Sequence, residues 1–247
     1  GLELGDPVGG ILEGGSRRLA VGDELGPGAV DVFEPLELHD TVTLEAGDAR
    51  VDEVVCPQVP GENLALRAVR DFRAATGWDG PPVRLVIDKR IPVAGGMAGG
   101  SADAAAALRL VQRASGLGDD ALLHELAFGL GADVPSQIRP RRVLGTGAGE
   151  QLEPLDPPAE PYGVLVVPSD DQLSTAEVFR EADALGVQRS AEALDAALEA
   201  IRRGRIPRDN DLEPAAVALL PPVADALAAL RAAGAQYAMV SGSGPTV

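Results

Sequence analysis

The sequence has 247 residues, of which 45% are hydrophobic and 24% charged, enough apolar surface for one or two globular domains. Asp and Glu number 38 against 21 Lys and Arg, and this net charge of −17 argues against a nucleic-acid-binding protein, which needs a basic surface. No apolar run is long enough to span a membrane, and the first residues lack a secretory pattern. We therefore expect a cytoplasmic protein without a membrane partner, and the single cysteine agrees with a reducing compartment.

The N-terminal half is predicted to combine short strands with helices. Dense glycine in the first 28 residues disfavours long regular elements there. Alternating or β-branched apolar residues predict strands at residues 18–21, 36–44 and 83–87. Apolar residues at helical spacing, or alanine-rich sequence, predict helices at residues 63–75, 101–114 and 119–130.

A proline-rich segment at residues 154–161 indicates a domain boundary, and we place the domains at 1–157 and 158–247. Beyond it, strands are predicted at residues 163–167 and 236–240. Helices are predicted at residues 175–184, 191–203 and 223–233. The predicted fold class is α+β. The first residue is not methionine and the last residues resemble an unfinished strand, so we expect both ends to be incomplete.

The strongest motif is the glycine-rich segment 92–105, which follows a predicted strand and opens a helix. Glycines allow a ligand close to the backbone, and a helix N-terminus offers free N–H groups and a positive dipole end. Together they form a phosphate site that needs no basic side chain. The alternative is a plain helix start after a turn, with Ser101 as its N-cap.

Two common phosphate loops are excluded by spacing. A Walker A loop needs lysine after its last glycine, whereas Gly100 is followed by Ser101. A dinucleotide fingerprint needs G-x-G-x-x-G, and the doublets Gly95-Gly96 and Gly99-Gly100 do not provide it.

The segment 92–105 resembles the second signature of the GHMP kinases, the superfamily of galactokinase, homoserine kinase, mevalonate kinase and phosphomevalonate kinase. The segment 241–246, Ser-Gly-Ser-Gly-Pro-Thr, resembles the third signature. Further segments that match in the family's order are residues 62–68, 131–135, 145–150, 173–178 and 210–213. The resemblance implies a ribosomal-protein-S5-like N-terminal domain and a ferredoxin-like C-terminal domain.

Within that superfamily the chain most resembles the kinases that act on a cytidine-diphosphate-linked polyol in the non-mevalonate route to isoprenoid precursors. The resemblance implies transfer of phosphate from ATP, with Mg²⁺, to the 2-hydroxyl of that small molecule. The sequence itself shows no cluster of His, Cys or carboxylate residues that predicts a protein-held metal. A protein of the same fold with impaired catalysis is the alternative. The sequence does not predict an oligomeric state.

The resemblance also assigns site residues. It implies nucleotide binding by Pro92, Val93, Ala94, Gly95, Gly96, Met97, Ala98, Gly99, Gly100, Ser101 and Ala102, with Asn63 and Leu64 near the adenine. It implies substrate binding by Thr175, Gly242, Ser243 and Gly244. For Asn63 the alternative is an N-cap of its own helix, and for residues 242–244 a tight turn.

Asp133 occupies the family's catalytic aspartate position in Gly-Ala-Asp-Val-Pro. A carboxylate there would act on the substrate hydroxyl as a base or an orienting group. The alternative is that Asp133 caps the following helix, with Pro135 in its first turn.

The N-terminal segment departs from the family pattern. The family's lysine position falls near Gly14 and its asparagine near Ser16, and the segment that grips the cytosine is replaced at about residues 24–28. Lys89, the only lysine, is predicted to lie at the surface or rim, so Arg17 or Arg18 is the better substitute. This predicts ATP binding with poor turnover.

Overall fold

A computed structural model describes residues 30–46, 50–147, 149 and 151–247, together with the backbone of 17–19. The helices are α1 (Leu64–Thr76), α2 (Gly99–Ser115), α3 (Asp120–Leu130), α4 (Val134–Ile138), α5 (Thr175–Leu185), α6 (Ala191–Arg202), α7 (Glu213–Leu219) and α8 (Pro222–Ala232). The strands are β1 (Arg17–Leu19), β2 (Val30–Phe33), β3 (Thr41–Ala46), β4 (Glu53–Val55), β5 (Val83–Asp88), β6 (Val143–Thr146) and β7 (Gln151–Pro154). None of the helices in these residues is both long and apolar enough to cross a membrane.

Two compact units divide the described chain. The first comprises residues 36–93 and 98–140. The second comprises residues 30–35, 94–97 and 141–247, together with the backbone of 17–19. The glycine-rich segment therefore begins and ends in the first unit, while its middle belongs to the second.

The first unit packs helices on a three-stranded sheet of order β3-β5-β4. Strands β3 and β5 are antiparallel, with Thr41 opposite Asp88, whereas β4 and β5 are parallel. The core joins inward residues of the sheet, such as Leu85, to Phe72 of α1 and Leu108 of α2, all fully buried. Helix α2 packs closely on α1 because the buried residues between Ala102 and Ala107 are alanines, except for Asp103.

The second unit contains an antiparallel sheet of order β1-β2-β6-β7. Val30, Val32 and Leu144 of this sheet form one hydrophobic cluster with Ala197 and Ile201 of α6. This shared cluster groups the sheet, which precedes residue 157, with the C-terminal helices. The compact units thus divide the chain differently from the predicted domains 1–157 and 158–247. These domain limits stay a prediction.

Most of the predicted helices match the structure closely. Asn63 is the N-cap of α1, since its Oδ1 accepts a hydrogen bond of 2.9 Å from Ala65 N, and Asp119 caps α3 in the same way through Leu122 N. Gly131 follows α3 as its C-cap, as predicted. Helix α2 begins two residues earlier than predicted, with Ala98 as N-cap. Ser101 lies inside the helix, so the alternative in which Ser101 is its N-cap is wrong.

Two predicted strands in the second unit are wrong. Residues 163–167 are not a buried strand: Val164 is 51% exposed and Leu165 71%, and only Val167 exchanges backbone hydrogen bonds, with Val247. Residues 236–240 form no strand, and side chains bond some of their backbone groups. Arg231 donates to Ala238 O, and Glu213 accepts from Val240 N.

Arg73 of α1 clamps the loop between α1 and β5. Its guanidinium makes a two-pronged ion pair with Asp52 and also donates to the carbonyl oxygens of Trp78, Gly80 and Pro81. The planar fork of five N–H donors suits this set of acceptors, whereas an ammonium group has a different shape.

We predict that Arg73→Lys lowers the free energy of unfolding by about 2 kcal/mol, because lysine cannot reproduce these bonds and leaves partly buried acceptors unpaired. Urea denaturation measures the change. The matched control is Arg70→Lys, an exposed position on the same helix, where a change below about 0.5 kcal/mol is expected. Equal effects of the two substitutions would contradict the clamp.

Candidate functional site

The start of α2 provides an uncapped helix N-terminus in the first unit. No side chain makes a capping hydrogen bond to this end of the helix. The first N–H groups of an α-helix lack partners inside the helix, so those of Gly99, Gly100 and Ser101 face outward with the positive end of the helix dipole. A Cβ built on the exposed Gly100 would meet no described atom within 4 Å. Among the described residues, nothing covers this helix end at Gly100, and its geometry is suited to an anion.

Two alanines of the glycine-rich segment have backbone angles that favour glycine. Ala94 has φ of 56° and Ala98 has φ of 54°, both in the left-handed region. A side chain in this region costs roughly 1–2 kcal/mol. The sequence places Ala98 where the family usually has glycine, and the structure shows that the methyl group is strained there.

Lys89 lies directly beneath the N-terminus of α2. Its side chain is 5% exposed, and its Nζ contacts the carboxylates of Asp40 and Asp103, with 2.9 Å to Oδ2 of Asp103. If Gly99 had a Cβ, this atom would lie 3.2 Å from Nζ of Lys89 and 2.9 Å from Cγ2 of Ile91. The prediction that Lys89 lies at the surface or rim is wrong. Its charge is held by two buried carboxylates.

Asp40 connects this ion cluster to the backbone that leads into the glycine-rich segment. Its Oδ1 accepts hydrogen bonds of 2.6 Å from Arg90 N and 2.8 Å from Ile91 N. This inward-turned carboxylate lies just before β3, which begins at Thr41 and not at residue 36 as predicted. His39, predicted as a strand residue, also precedes β3, and its ring Nδ1 lies 2.7 Å from Glu37 O.

The electrostatics of the cluster are unusual. Burial raises the pKa of Asp103 to about 7, against the lowering effect of Lys89 and with support from Asp40. For Lys89, burial alone would lower the pKa, but the charges and hydrogen bonds of Asp103 and Asp40 raise it above the ordinary value. The sequence reasoning missed this cluster. An aspartate within a run of buried alanines on α2 was the signal, because a buried carboxylate needs a partner.

Asp133 precedes the short helix α4, and its side chain makes no capping hydrogen bond there. Asp133 therefore occupies the N-cap position of α4, with Pro135 in the first turn as the alternative predicted, but its side chain does not cap the helix. Its carbonyl oxygen accepts from the hydroxyl of Ser136, and its side chain is half-buried. Arg109 of α2 donates to the carbonyl oxygens of Gln137 and Ile138, so α4 is fastened to α2. Asp133 is thus held by a short, tightly anchored helix.

The second unit brings the other predicted site residues together. The hydroxyls of Thr175, at the start of α5, and Ser243 lie 3.0 Å apart. Ser241 Oγ donates to Gly96 O, so residues 94–97 lie against the turn at 241–244. A Cβ on Gly96 would lie 2.4 Å from Ser241 O and 2.8 Å from Gly244 N, which leaves room only for glycine.

Asn210 holds this turn in place. Its buried amide donates to Val240 O at 2.9 Å and to Gly242 O at 2.7 Å, and its Oδ1 accepts from Leu212 N. Arg189 lies beside it and is paired with Asp209 and Asp211, whose hydrogen bonds raise its pKa further above the ordinary range. In the sequence, residues 210–213 are only a match to the family. The sequence does not predict that Asn210 holds the turn at 241–244.

Other predicted residues lie outside the described parts of the chain. These are the positions near Gly14 and Ser16, the segment 24–28, and the side chains of Arg17 and Arg18. The prediction of poor turnover, which depends on them, stays a prediction.

Family models match both halves of the chain. The model "GHMP kinases N terminal domain" matches residues 63–139, and "GHMP kinases C terminal" matches residues 179–247. These matches define the class of protein as a GHMP kinase, a phosphotransferase, and they confirm the predicted two-part fold.

Comparisons with individual proteins identify the family within the GHMP kinases. The chain is 42% identical to the 4-diphosphocytidyl-2-C-methyl-D-erythritol kinase of Streptomyces coelicolor, over 93% of this chain and 82% of that protein. It is 43% identical to the same kinase of Thermobifida fusca, over 93% of this chain and 81% of that protein. A crystal structure of 4-(cytidine 5'-diphospho)-2C-methyl-D-erythritol kinase matches with a TM-score of 0.72 and 30% identity, over 95% of this chain and 87% of that one. The chain belongs to the 4-diphosphocytidyl-2-C-methyl-D-erythritol kinase family of the GHMP kinases.

We predict that Ala98→Gly raises the free energy of unfolding by about 0.5–1 kcal/mol. Relief of the strained backbone outweighs the greater freedom of glycine in the unfolded chain. Chemical denaturation measures the change. Ala102→Gly, at a buried helical position of α2, is the control and should lower stability by about 1 kcal/mol. Loss of stability in Ala98→Gly would mean that its backbone is not strained.

Proposed function

We propose that the chain transfers phosphate from ATP to the 2-hydroxyl of 4-diphosphocytidyl-2-C-methyl-D-erythritol, in non-mevalonate isoprenoid precursor biosynthesis. The observation that carries this proposal is identity above 40% to kinases of that name over nearly the whole chain. The impaired-catalysis alternative finds no support in these relatives.

The N-terminus of α2 is the proposed phosphate site for ATP. Residues 92–102 would surround the phosphates, and the outward N–H groups of Gly99 and Gly100 would donate to them. This chemistry explains how an acidic chain with one buried lysine can hold a polyanion. Asn63 and Leu64 are proposed to lie near the adenine. The capping bond of Asn63 uses its Oδ1, which leaves the amide nitrogen available for a ligand.

Asp133 is the proposed catalytic carboxylate. Phosphoryl transfer depends mainly on positioning and on stabilising charge, so the carboxylate would orient the 2-hydroxyl and accept its proton as the oxygen attacks the γ-phosphorus. Its place before the anchored helix α4 provides the fixed position that this role requires.

The turn at 242–244 and Thr175 are proposed to bind the cytidyl substrate. Their hydroxyl groups and the backbone N–H groups of Gly242 and Ser243 are neutral donors, which suit a diphosphate without adding positive side chains, whereas the N–H of Gly244 already donates to Ser241 O. Asn210 would keep this turn in its binding conformation.

Mg²⁺ is proposed to enter with the phosphates of ATP. Within the described residues, no group of three or more His, Cys, Asp or Glu side chains is arranged to hold a metal ion. We further propose a cytoplasmic location, since ATP is the donor and the buried Cys56 is a free thiol.

We predict that Gly100→Leu weakens ATP binding at least about tenfold while the protein stays folded. The new side chain has open space and normal backbone angles. Since leucine favours a helix more than glycine does, the substitution should not lower the stability of the folded state. The same side chain would occupy the space of the phosphates. Calorimetric titration with ATP measures the affinity, and thermal unfolding measures the fold.

The matched control is Gly129→Leu, which also has open space but lies near the end of α3. Its ATP affinity should equal that of the wild type. Unchanged ATP affinity in Gly100→Leu would mean that the start of α2 does not bind the nucleotide.

We predict that Asp133→Asn lowers kcat at least about 100-fold and leaves KM for ATP within about twofold, because the carboxylate acts on the hydroxyl and not on the nucleotide. A steady-state assay with ATP, Mg²⁺ and the cytidyl substrate measures both constants. A fall in thermal stability that parallels the loss of activity would favour a structural role. A wild-type rate of about 1–100 per second would overturn the prediction of poor turnover.

A further inference from the structure

The buried cluster beneath α2 has an excess of negative groups. Asp103, the fifth residue of α2, is 3% exposed and shares Lys89 with the fully buried Asp40. Among the described residues, Oδ1 of Asp103 has no hydrogen-bond partner. One ammonium group therefore serves two carboxylates, and one carboxylate oxygen remains unsatisfied in a buried place, where this is costly.

The charge of the cluster has two states. With both aspartates ionised and Lys89 protonated, the cluster has a net charge of −1, whereas a protonated Asp103 makes it neutral. The ammonium lies 3.2 Å from the Cβ position of Gly99, the first residue of α2. The cluster therefore changes its charge directly under the helix end proposed to hold the phosphates.

We propose that Asp103 tunes the affinity of the α2 N-terminus for ATP through the charge of the Lys89–Asp40–Asp103 cluster. This inference rests on the proposed function, since it takes the phosphates of ATP as the ligand at that helix end. The ionised cluster repels the nucleotide and the neutral one does not. By linkage, bound ATP favours protonation of Asp103 by the same factor.

The charged and titratable groups that face Asp103 come from three segments: Lys89 after β5, Asp40 before β3 and Cys56 after β4. Burial, and then the charge of Asp103, raise the pKa of the Cys56 thiol, so it is neutral at ordinary pH. The pKa of Asp103 is raised from 3.8 to about 7, so the folded state holds its proton more tightly than the unfolded state. The contribution of Asp103 to stability is thus fully present at low pH and is lost as pH rises through about 7.

The test compares Asp103→Asn with the wild type by calorimetric titration with MgATP. Asparagine keeps the shape and an acceptor for Lys89 but cannot ionise. At about pH 6 the two proteins should bind ATP with affinities within about twofold. At about pH 8.5 the variant should bind about threefold to tenfold more tightly, because only the wild-type cluster is negative there. Titration of ATP itself cancels in this ratio.

The control is Asp88→Asn, which removes an exposed carboxylate from the residue beside Lys89. Solvent screens this charge, so its affinity ratio to the wild type should be close to one at both pH values. Equal pH profiles for Asp103→Asn and the wild type would overturn the inference while leaving ATP binding intact. Absence of ATP binding in the wild type would instead refute the proposed function.

A second measurement needs no variant. Carbon NMR of the Asp103 carboxyl should show its titration midpoint rise by about 0.5–1 pH unit when ATP is added, the reciprocal of the affinity change. A midpoint that ATP does not move would overturn the inference even if Asp103→Asn failed to fold.

Discussion

The contact between Lys89 and the two aspartates is the constraint on which the first unit depends. Asp40 fixes the backbone after β5, and Asp103 fixes α2, while Lys89 joins them in a place almost without solvent. Removal of one member of a buried ion pair typically costs about 3–5 kcal/mol, because the remaining charge is left unpaired. The direction of the chain into and out of the glycine-rich segment is therefore set by charge as well as by apolar packing.

Helix α2 connects the ion cluster to other parts of the first unit. Its first residues form the uncapped N-terminus, its alanines allow close packing on α1, and Arg109 near its middle fastens α4 and hence Asp133. A glycine at position 99 is required because Ile91 and Lys89 leave no space for a side chain. One helix thus positions both the proposed phosphate site and the proposed catalytic carboxylate.

Sequence patterns predicted the long helices and strand β5 well, because apolar spacing over many residues, together with caps such as Asn63 and Asp119, gives a clear signal. Strands β2, β4, β6 and β7 were not predicted. They are three or four residues long, and all of β2 is buried, so no alternation is present. The predicted strand at 236–240 is absent. Arg231, Glu213 and Asn210 bond three of the backbone groups there, and sequence patterns do not show such long-range contacts.

Sequence patterns predicted the parts of the candidate site that consist of backbone in glycine-rich segments. They did not predict the buried cluster in which the side chains of Lys89, Asp40 and Asp103 contact one another. The glycine-rich sequence before α2 indicated the proposed phosphate site, and the family resemblance indicated the 242–244 turn. By contrast, Lys89 was misplaced because its position at the end of a strand suggests exposure, and its two partners are 49 and 14 residues away. Charge pairing over such separations depends on tertiary packing, which local patterns do not encode.

The proposed polyanion site of this acidic chain takes its positive potential from the backbone. With a net charge of −17 and its one lysine neutralised by aspartates, the described first unit offers the oriented N–H groups of α2 instead. These partial charges are fixed by the backbone and do not titrate. Asp103 beneath them does, so the same cluster that holds the helix in place also sets how favourable this helix end is for phosphate. Fold stability and ligand affinity are therefore coupled through Asp103, and they change in the same direction with pH.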